Sequence, residues 1–309
     1  MVDHRSALIA RFGTPRRVSS EEAASLARLA AAPTVPRDAA TVILLRDAPA
    51  GGGVEAYMIR RTVAMSFAGG MYAFPGGRVD PADSDEMLAW VGPPVDVVMP
   101  GLDRDPARAR AVVCAAVRET FEECGVLLAA PPQAASDGPA PDEAAPASPA
   151  GVGTEIETGT TFAADRQAME DRRLTLADLL TRRSLALRAD LLGAWTRWVA
   201  PELEPRRYDT RFFVAALPPG QQPGVASSEA DGALWIRPAQ ALDQFYEGAL
   251  AMLPPTVFTL AELAEFDDVA GVLAAAAARD LAPVMPRISV ADGLWRLLFP
   301  HLDREAVER

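Results

Sequence analysis

No lysine and no asparagine occur anywhere in the 309-residue sequence. Without a lysine the chain cannot form a Schiff base with a carbonyl substrate, and it lacks the phosphate-binding lysine of a P-loop. Histidine is nearly as scarce, since the two histidines, His4 and His301, lie close to the ends of the sequence. Both are expected at the protein surface. Lysine-dependent catalysis is therefore excluded, and neither histidine is a candidate zinc ligand or catalytic base.

Cysteine is also rare, with Cys114 and Cys124 ten positions apart on one predicted helix. A helix rises about 1.5 Å per residue, which separates the two thiols by about 15 Å and prevents a disulfide between them. We therefore expect a reducing, cytoplasmic location. The sequence has no charged and apolar leader and no apolar run of about 18 residues, so it indicates neither secretion nor membrane insertion.

Acidic residues outnumber basic ones, 42 to 30, and the formal net charge is −12. Nucleic acids and anionic membranes are bound by basic surfaces, so neither is expected as a partner. The expected partner is a small molecule. An anionic one would need local arginines and a bound metal to offset the charge of the protein. We keep a homodimer as the expectation for assembly.

Three glutamates lie close together in the segment from Arg118 to Val126, R-E-T-F-E-E-C-G-V. Glu119, Glu122 and Glu123 occupy positions i, i+3 and i+4, so on a helix their carboxylates share one face within about 5–6 Å of one another. A solvated acidic face is the ordinary explanation of such a charge run. Oxygen ligands clustered without His or Cys otherwise suit Mg²⁺ or Mn²⁺, which we take as the expected cofactor.

The pattern R-E-x-x-E-E-x-G, followed by an aliphatic residue and preceded by a glycine pair, resembles the Nudix box, written G-x5-E-x7-R-E-U-x-E-E-x-G-U with U aliphatic. Thr120 stands where the box has an aliphatic residue. Gly77 and Arg118 are 41 positions apart instead of 14, so the box is split by an insertion. The first box glutamate has no unique equivalent, because Asp83 has the right spacing from Gly77 whereas Arg110 occupies the position counted back from Arg118.

The resemblance implies a Nudix-type α/β/α sandwich with a mixed sheet and, in this chain, added helical segments. It also implies a metal site made of box glutamates, a main-chain carbonyl of the glycine turn and a later acidic residue in the arrangement E-x5-W-x2-P. The residues assigned to the metal are Glu119, Glu122, Glu123, Gly77 (or its neighbour Gly76) and Glu229. Glu119 is expected to act as a ligand or as the base, and Arg118 is expected to orient it, which makes these two the candidate catalytic residues.

Further stretches resemble the peroxisomal type of coenzyme A diphosphatase within the Nudix superfamily: the turn F-P-G-G, the strand R-R-Y-D-T-R-F-F and the segment L-P-P-T-x-F. The resemblance implies a bacterial relative that hydrolyses the diphosphate of coenzyme A or acyl-coenzyme A to 3′,5′-ADP and 4′-phosphopantetheine or its acyl form. Ser66 replaces the second arginine of the signature of this branch, so an ADP-ribose or NADH-type pyrophosphatase on the same site stays open. A catalytically silent Nudix module that binds a nucleotide or a protein partner is the alternative of another class.

Arginines in two stretches are candidates for binding the phosphates of a nucleoside diphosphate derivative. Arg60 and Arg61 end a predicted strand shortly before the glycine turn. Arg207 and Arg211 start another strand, where alternation places them on one side and Arg206 on the other. We expect Arg207 and Arg211 to contact phosphate, because a guanidinium fork matches phosphate oxygens in two-point contact. Pairing with nearby Asp and Glu residues is the structural alternative.

Pattern and composition predict one enlarged domain with extensions at both ends. Residues 1–38 are expected to form an N-terminal helical extension, and residues 39–250 the Nudix domain. Residues 251–309 are expected to form a C-terminal helical extension packed on the same domain. It includes a long helix from Pro254 through Ala278, followed by short helix or coil.

Three segments interrupt the predicted Nudix domain. Residues 78–106 are acidic and rich in turn formers, and form the inserted loop of the box. Residues 129–153 are dominated by Ala, Pro, Ser and Gly, which predicts a solvated linker. Residues 162–199 are predicted to be a helical insert, in which Trp195 and Trp198 share a face and pack in the core.

The ends of the box helix are predicted by local signals. Pro106 suits its first turn with Asp105 as the N-cap, and Gly125 suits its C-terminal end. A hairpin of two strands, from Ala40 to Arg46 and from Val54 to Arg60, is expected to open the sheet.

Overall fold

The structure is a computed structural model that describes residues 4–49, 51–65, 68–132, 159–224 and 229–302. Its helices are α1 (His4–Phe12), α2 (Ser20–Ala31), α3 (Val95–Val98), α4 (Pro106–Cys124), α5 (Gly159–Glu170), α6 (Leu176–Arg183), α7 (Pro238–Tyr246), α8 (Pro254–Leu263) and α9 (Val269–Ala276). Its strands are β1 (Arg16–Arg17), β2 (Arg37–Asp47), β3 (Val54–Arg61), β4 (Tyr72–Ala73), β5 (Gly76–Arg78), β6 (Trp90–Val91), β7 (Ala129–Ala130), β8 (Ala186–Arg188), β9 (Gly193–Val199), β10 (Tyr208–Ala216), β11 (Ala230–Ile236), β12 (Arg287–Ala291) and β13 (Leu294–Leu298). No helix in these ranges has the length and apolar character needed to cross a lipid bilayer.

A seven-stranded mixed sheet forms the centre of the fold. Its strand order is β11-β3-β2-β10-β9, with β4 paired to β3 and β5 paired to β2. The neighbours β2 and β10 run parallel, whereas β2 and β3 form the predicted antiparallel hairpin. β5 lies against the beginning of β2, with Gly77 opposite Ala40. The glycine turn is thereby attached to the middle of the sheet.

Helices cover both faces of this sheet. Alternate residues of β2 point to opposite sides, and each side carries buried apolar residues. One face carries Ala40, Val42 and Leu44, which belong to the same buried cluster as Val113 and Phe121 of α4. The other face carries Ile43 and Leu45, which are buried with side chains of the C-terminal helices, Leu242, Leu260 and Val272. The predicted α/β/α sandwich with a mixed sheet is confirmed.

Helix α4 has the predicted ends. The Asp105 side chain accepts a hydrogen bond from the backbone N–H of Ala107 at 3.0 Å, and Pro106 occupies the first turn. Gly125 adopts the left-handed conformation with φ of 76°, and its N–H closes the helix on the carbonyl of Phe121. The Gly125 conformation is one that other residues adopt only with strain, which explains why the helix ends at a glycine.

The insertion at residues 78–106 is more ordered than the predicted loop. It contains a 3₁₀ turn at Pro81–Ser84, strand β6 and helix α3. It also buries four apolar side chains in the cluster around α4: Leu88, Val95, Met99 and Leu102. These side chains anchor the insertion on the box helix despite its many turn-forming residues.

The predicted helical insert at residues 162–199 is helical only as far as Arg183, and Trp195 and Trp198 lie on strand β9. Residues three apart on a regular strand point to opposite sides, yet both indoles are buried in one core. The register of β9 against β10 shifts between Phe212 and Phe213, where Trp195 is the additional residue of a bulge. The bulge restores a shared face for the two tryptophans. Their predicted core position is therefore correct, but the predicted helix is wrong.

The predicted linker at residues 129–153 begins with strand β7, which pairs with β8. β8 also pairs with β6 of the insertion, so the three short strands form a separate small sheet. The remainder of the predicted linker, from residue 133, lies outside the described residues.

The described parts of the two terminal extensions contact each other, and neither is purely helical. β1 pairs with β13, and β12 and β13 form a hairpin around Asp292 and Gly293, with φ values of 51° and 71°. Asp-Gly with two positive φ values is a strong hairpin signal, and it overrides the expected helix or coil. The predicted long helix is also divided into α8 and α9, because Asp268 caps a new helix by accepting from the N–H of Gly271 at 2.7 Å.

Candidate active site

Most of the predicted functional residues border one cavity of about 750 Å³; Arg60, Arg207 and Arg211 do not. Its walls come from α4, the glycine turn, the beginnings of β2 and β10, the first turn of the insertion, and the segment that joins α5 to α6. Five of its lining residues are glutamates: Glu119, Glu122, Glu123, Glu170 and Glu229. Five are arginines: Arg61, Arg78, Arg118, Arg172 and Arg206. Carboxylates and guanidinium groups therefore face the same space.

Arg118 organises the carboxylates of the box helix. Its Nη1 donates to Oε1 of Glu119 at 2.9 Å and to Oε2 of Glu122 at 3.2 Å. Its Nε and Nη2 donate to the two oxygens of Asp83 at 2.9 and 3.0 Å. Nη2 also donates to the carbonyl of Arg78 at 2.8 Å. Arg118 therefore makes the contact with Glu119 that its predicted orienting role requires. The carboxylate that anchors its guanidinium by two bonds is Asp83.

Asp83 is the residue that the sequence left undecided. It follows Gly77 at the spacing of the first carboxylate of the box, and its side chain is 1% exposed. The other candidate position, Arg110, bonds instead to the backbone carbonyls of Asp85 and Leu88 at 2.9 and 2.8 Å. Within the segment 78–106, the residues that lengthen the box therefore follow Asp83, and the fold brings Asp83 into contact with Arg118.

The glycine turn lies directly on the glutamates. The N–H of Gly76 donates to Oε2 of Glu123 at 2.7 Å. A Cβ on Gly77 would force the carboxylate of Glu119 to move. A Cβ on Gly76 would collide with the backbone of Ala40 and Thr41, so the close approach of the turn to β2 requires a glycine at Gly76. The structure thus brings together the turn and the helix, which are far apart in sequence. The predicted contact of the Gly77 carbonyl with a metal stays a prediction.

Burial and mutual repulsion make the carboxylates less acidic than usual. Burial raises the pKa of Glu122 to about 7, and the negative charges of Glu119 and Asp83 add to this effect. Burial also raises the pKa values of Glu119 and Glu123, and the charge of Glu229 contributes to both. Glu229, predicted from the strand beyond the box, therefore lies near the box glutamates. The site holds more negative charge than Arg118 offsets.

The donor chemistry of the cavity fits a hard divalent cation, because the ligands are carboxylate oxygens from several elements. Across the described ranges, no three His, Cys, Asp or Glu side chains are grouped closely enough to hold a metal as they stand. The reason is local: Glu119 and Glu122 are turned onto Arg118, and Glu123 accepts from Gly76. The predicted ligands Glu119, Glu122, Glu123 and Glu229 all border the cavity, and their role in holding a cation stays a prediction.

The predicted pair Arg60 and Arg61 divides between surface and cavity. Arg60 pairs with Asp231 at 2.5 Å on the exposed side of β3 and does not border the cavity. Arg61 borders the cavity, and its buried Nε has no hydrogen-bond partner in the described structure. Its charge also lies near Glu123, whose pKa it lowers against the effect of burial. Arg61 therefore keeps its candidacy for binding phosphate, and the structure gives Arg60 a surface partner instead.

The predicted pair Arg207 and Arg211 is directed away from the cavity. Arg207 donates to the carbonyls of Ala200 and Thr34 at 3.0 and 2.8 Å. Arg211 is 1% exposed and forms ion pairs with three aspartates, Asp38, Asp103 and Asp209. These contacts correct the expected phosphate role in favour of internal pairing.

Side chains at the start of β10 alternate between two sides as predicted, but the side that faces the cavity is the one without Arg207 and Arg211. Arg206, Tyr208 and Thr210 border it, at every second position. The sequence places Arg206 apart from Arg207 and Arg211, yet it contains nothing that shows which side meets the substrate. The pairing of Thr210 with Ala39, itself a lining residue, decides the side.

The segment that joins α5 to α6 was missed as part of the site. Arg172 and Leu174 of this segment border the cavity, together with Met169 and Glu170 at the end of α5. The two helices and the segment between them form the α5–α6 hairpin. Phe162 of α5 packs edge-on against Phe121 of the box helix, with ring centroids 6.1 Å apart, and so holds the hairpin beside the site. The sequence predicts the helices but no contact between them and the box.

Comparison with known proteins places this chain among Nudix proteins. The family model described as the NUDT19 Nudix domain matches residues 102–263. The human "Acyl-coenzyme A diphosphatase NUDT19" is 29% identical over 251 residues, which are 71% of this chain and 62% of the human protein. The protein of that name from Gallus gallus is 27% identical over 273 residues, covering 75% of this chain and 69% of the relative. This chain thus spans less than two thirds of the length of its human relative.

A solved structure agrees with the fold. The crystal structure of a NUDIX hydrolase from Alicyclobacillus acidocaldarius matches with a TM-score of 0.63 and 29% sequence identity. The match covers 78% of this chain and 96% of that protein. The family match begins at residue 102, so it leaves out the glycine turn and Asp83. Both belong to the same site, because Gly76 bonds to Glu123 and Asp83 bonds to Arg118. Because the family model covers more than half of the sequence, this chain belongs to the NUDT19 Nudix domain family.

Proposed function

We propose that the protein is a metal-dependent Nudix hydrolase that cleaves the diphosphate of coenzyme A or acyl-coenzyme A. The products would be 3′,5′-ADP and 4′-phosphopantetheine or its acyl form. The observation that carries the proposal is the cavity in which Glu119, Glu122, Glu123 and Glu229 face Arg61. Family membership and the names of the relatives support the substrate.

The box carboxylates, the glycine turn and Arg118 each have a role in this proposal. Glu122, Glu123 and Glu229, with Glu119 and the carbonyl of Gly77, would hold Mg²⁺ or Mn²⁺. A bound divalent cation neutralises phosphate oxygens and lowers the pKa of a bound water. Arg118 aligns Glu119 and Glu122 through the two bonds from its Nη1, and Asp83 keeps Arg118 in place. Glu119 would act as a ligand or accept the proton of the attacking water.

Arg61 supplies the positive charge next to the carboxylates. Its Nε is buried without a partner in the described structure, which costs free energy unless a bound anion accepts its hydrogen bond. A diphosphate is such an anion, and a charge-assisted bond of this kind contributes roughly 1.5–3 kcal/mol. A cavity of about 750 Å³ is also large enough for a ligand with a nucleotide and a second arm.

A substrate panel tests the proposal. Coenzyme A, octanoyl-coenzyme A, ADP-ribose and NADH are incubated with the enzyme and Mg²⁺ or Mn²⁺, and products are separated by chromatography. We expect coenzyme A and its acyl form to have the highest kcat/KM and to yield 3′,5′-ADP. Higher kcat/KM for ADP-ribose or NADH would move the function to the alternative pyrophosphatase, and no turnover of any substrate would favour the silent module.

A charge-neutral variant links turnover to the glutamates. Glu123→Gln keeps the side-chain shape but removes the negative charge, so we expect turnover to fall at least a hundredfold, or roughly 3 kcal/mol, without loss of fold. Excess chelator should abolish wild-type turnover, and added Mg²⁺ or Mn²⁺ should restore it. Glu265→Gln, at an exposed position outside the cavity, is the matched control and should behave as wild type. Full turnover in chelator would contradict the metal requirement.

A further inference from the structure

Two separate parts of the fold line the cavity together with the box glutamates. The sheet wall presents Arg78, Thr210, Tyr208 and Arg206. Arg78 and Thr210 are both opposite Ala39 in the strand register, so their side chains leave the sheet on the same side. Hydroxyls and guanidinium groups therefore line this wall.

The second wall belongs to the α5–α6 hairpin and contains three apolar side chains. Met169, Leu174 and Leu176 border the cavity and also belong to the buried cluster around α4. Glu170 and Arg172 of the same segment add polar groups. Apolar side chains that line a cavity next to a phosphate-cleaving centre do not help to bind phosphate or ribose, and they favour an apolar ligand group.

The hairpin wall is held in position by its own contacts. Asp165 of α5 accepts from Arg182 of α6 at 3.0 Å and from Nε of Arg183 at 2.8 Å. Arg183 lies over the ring of Phe162, 4.7 Å from its centroid, and Phe162 packs on Phe121 of the box helix. The distance between the apolar wall and the carboxylates is thus set by packing on α4.

We infer that the substrate lies across the carboxylates in one direction, with its nucleotide on the sheet wall and its acyl-pantetheine arm on the apolar α5–α6 wall. Met169, Leu174 and Leu176 then determine the preference for acylated over free coenzyme A. This inference rests on the proposed function. The sheet wall suits the nucleotide because Arg206 and Arg78 can bind its additional phosphate and the hydroxyls can bind ribose. The apolar wall suits an acyl chain because burying each methylene is favourable.

Truncation of the apolar wall tests the acyl arm. We expect Leu174→Ala to lower kcat/KM for octanoyl-coenzyme A about tenfold more than kcat/KM for coenzyme A, since lost apolar contact in a pocket changes discrimination by about this factor. Leu174→Met, which nearly conserves volume, should restore most of the preference. The measured quantity is the ratio of the two kcat/KM values, which a general loss of folded enzyme leaves unchanged.

Leu179→Ala is the matched control. Leu179 is fully buried in the same hairpin and the same cluster but does not border the cavity. It should lower stability without changing the ratio. An unchanged ratio in Leu174→Ala, or an equal change in Leu179→Ala, would overturn the assignment of the acyl arm.

The nucleotide arm has a separate readout. Arg206→Gln should lower kcat/KM for coenzyme A and octanoyl-coenzyme A by the same factor, about tenfold, and should affect 3′-dephospho-coenzyme A less. A loss confined to the acylated substrate would reverse the orientation and contradict the inference. If the wild-type enzyme cleaves neither coenzyme A nor its acyl form, the proposed function and this inference fall together. If it cleaves both and the ratios do not move, the inference alone fails.

Discussion

Arg211→Ala is expected to destabilise the fold and leave substrate discrimination unchanged. Arg211 is 1% exposed, and its guanidinium bonds to Asp38 at 2.6 Å and to Asp103 at 2.5 Å, with Asp209 at 3.3 Å. Removing one partner of a buried ion pair costs about 3–5 kcal/mol, because the remaining charges stay desolvated. The substitution leaves Asp38, Asp103 and Asp209 close together without the positive charge of Arg211.

Neighbouring arginines place the loss at the lower end of that range. Arg108 bonds to both oxygens of Asp38 at 2.8 and 2.6 Å, and Arg197 bonds to both oxygens of Asp209 at 2.8 and 2.7 Å. These contacts remain in the variant, so we expect a loss of about 3 kcal/mol. At about 2–4 °C per kcal/mol for a large domain, Tm should fall by roughly 6–12 °C.

The assay is calorimetric or urea unfolding, combined with steady-state kinetics on coenzyme A and its 3′-dephospho analogue. Arg206→Ala is the control, because Arg206 lies five positions before Arg211, is exposed and borders the cavity. It should change kinetics with little change in Tm. The reasoning is refuted if Arg211→Ala unfolds like wild type yet loses kcat/KM more for coenzyme A than for the dephospho analogue.

The remaining predictions concern pH, the glycine turn and the anchor of Arg118. Burial opposes ionisation of Asp38, but its bonds with Arg108 and Arg211 outweigh burial and hold its pKa below the ordinary value. Its stabilisation of the folded state is therefore present above about pH 4 and is lost as pH falls through the lowered pKa. Urea unfolding between pH 2 and 6 should show a weaker pH dependence of stability in Asp38→Asn than in wild type. Gly77→Ala should abolish turnover, because its Cβ would displace the Glu119 carboxylate, and circular dichroism should show a retained fold. Asp83→Asn should lower kcat at least tenfold with a smaller change in KM, because Arg118 loses its buried anionic anchor; an unchanged kcat would show that Arg118 is held without Asp83.

Local sequence predicted the box helix almost completely. The cap at Asp105, the proline after it and the glycine at its end are short-range signals, and each was found in its expected role. The spacing of Glu119, Glu122 and Glu123 fixed their common face for the same reason, since helix geometry depends only on neighbouring residues. The hairpin of β2 and β3 was predicted from the strand pattern of its two segments, whereas the mixed sheet was expected from the resemblance to the Nudix family.

Local reasoning failed where two local signals competed. The tryptophans of β9 have a spacing that suits a helix face, but a bulge gives the same result on a strand. The arginines around β10 alternate as expected, but pairing with β2 determines which side of the strand meets the cavity. Asp292-Gly293 marks a hairpin that composition alone did not suggest.

The sequence by itself determined that three carboxylates share one helix face, because helix periodicity acts within a few residues. Their place beside the glycine turn was expected only from the resemblance to the Nudix box, and the fold brings the two together. The tertiary structure decided which distant groups complete the site: Asp83 on Arg118, Glu229 near Glu119, and the apolar wall of α5–α6. These contacts span tens to more than a hundred positions, and they form only when the sheet register and the packing on α4 bring the segments together. No local pattern encodes such a distance, since it is the sum of many weak packing preferences across the whole fold.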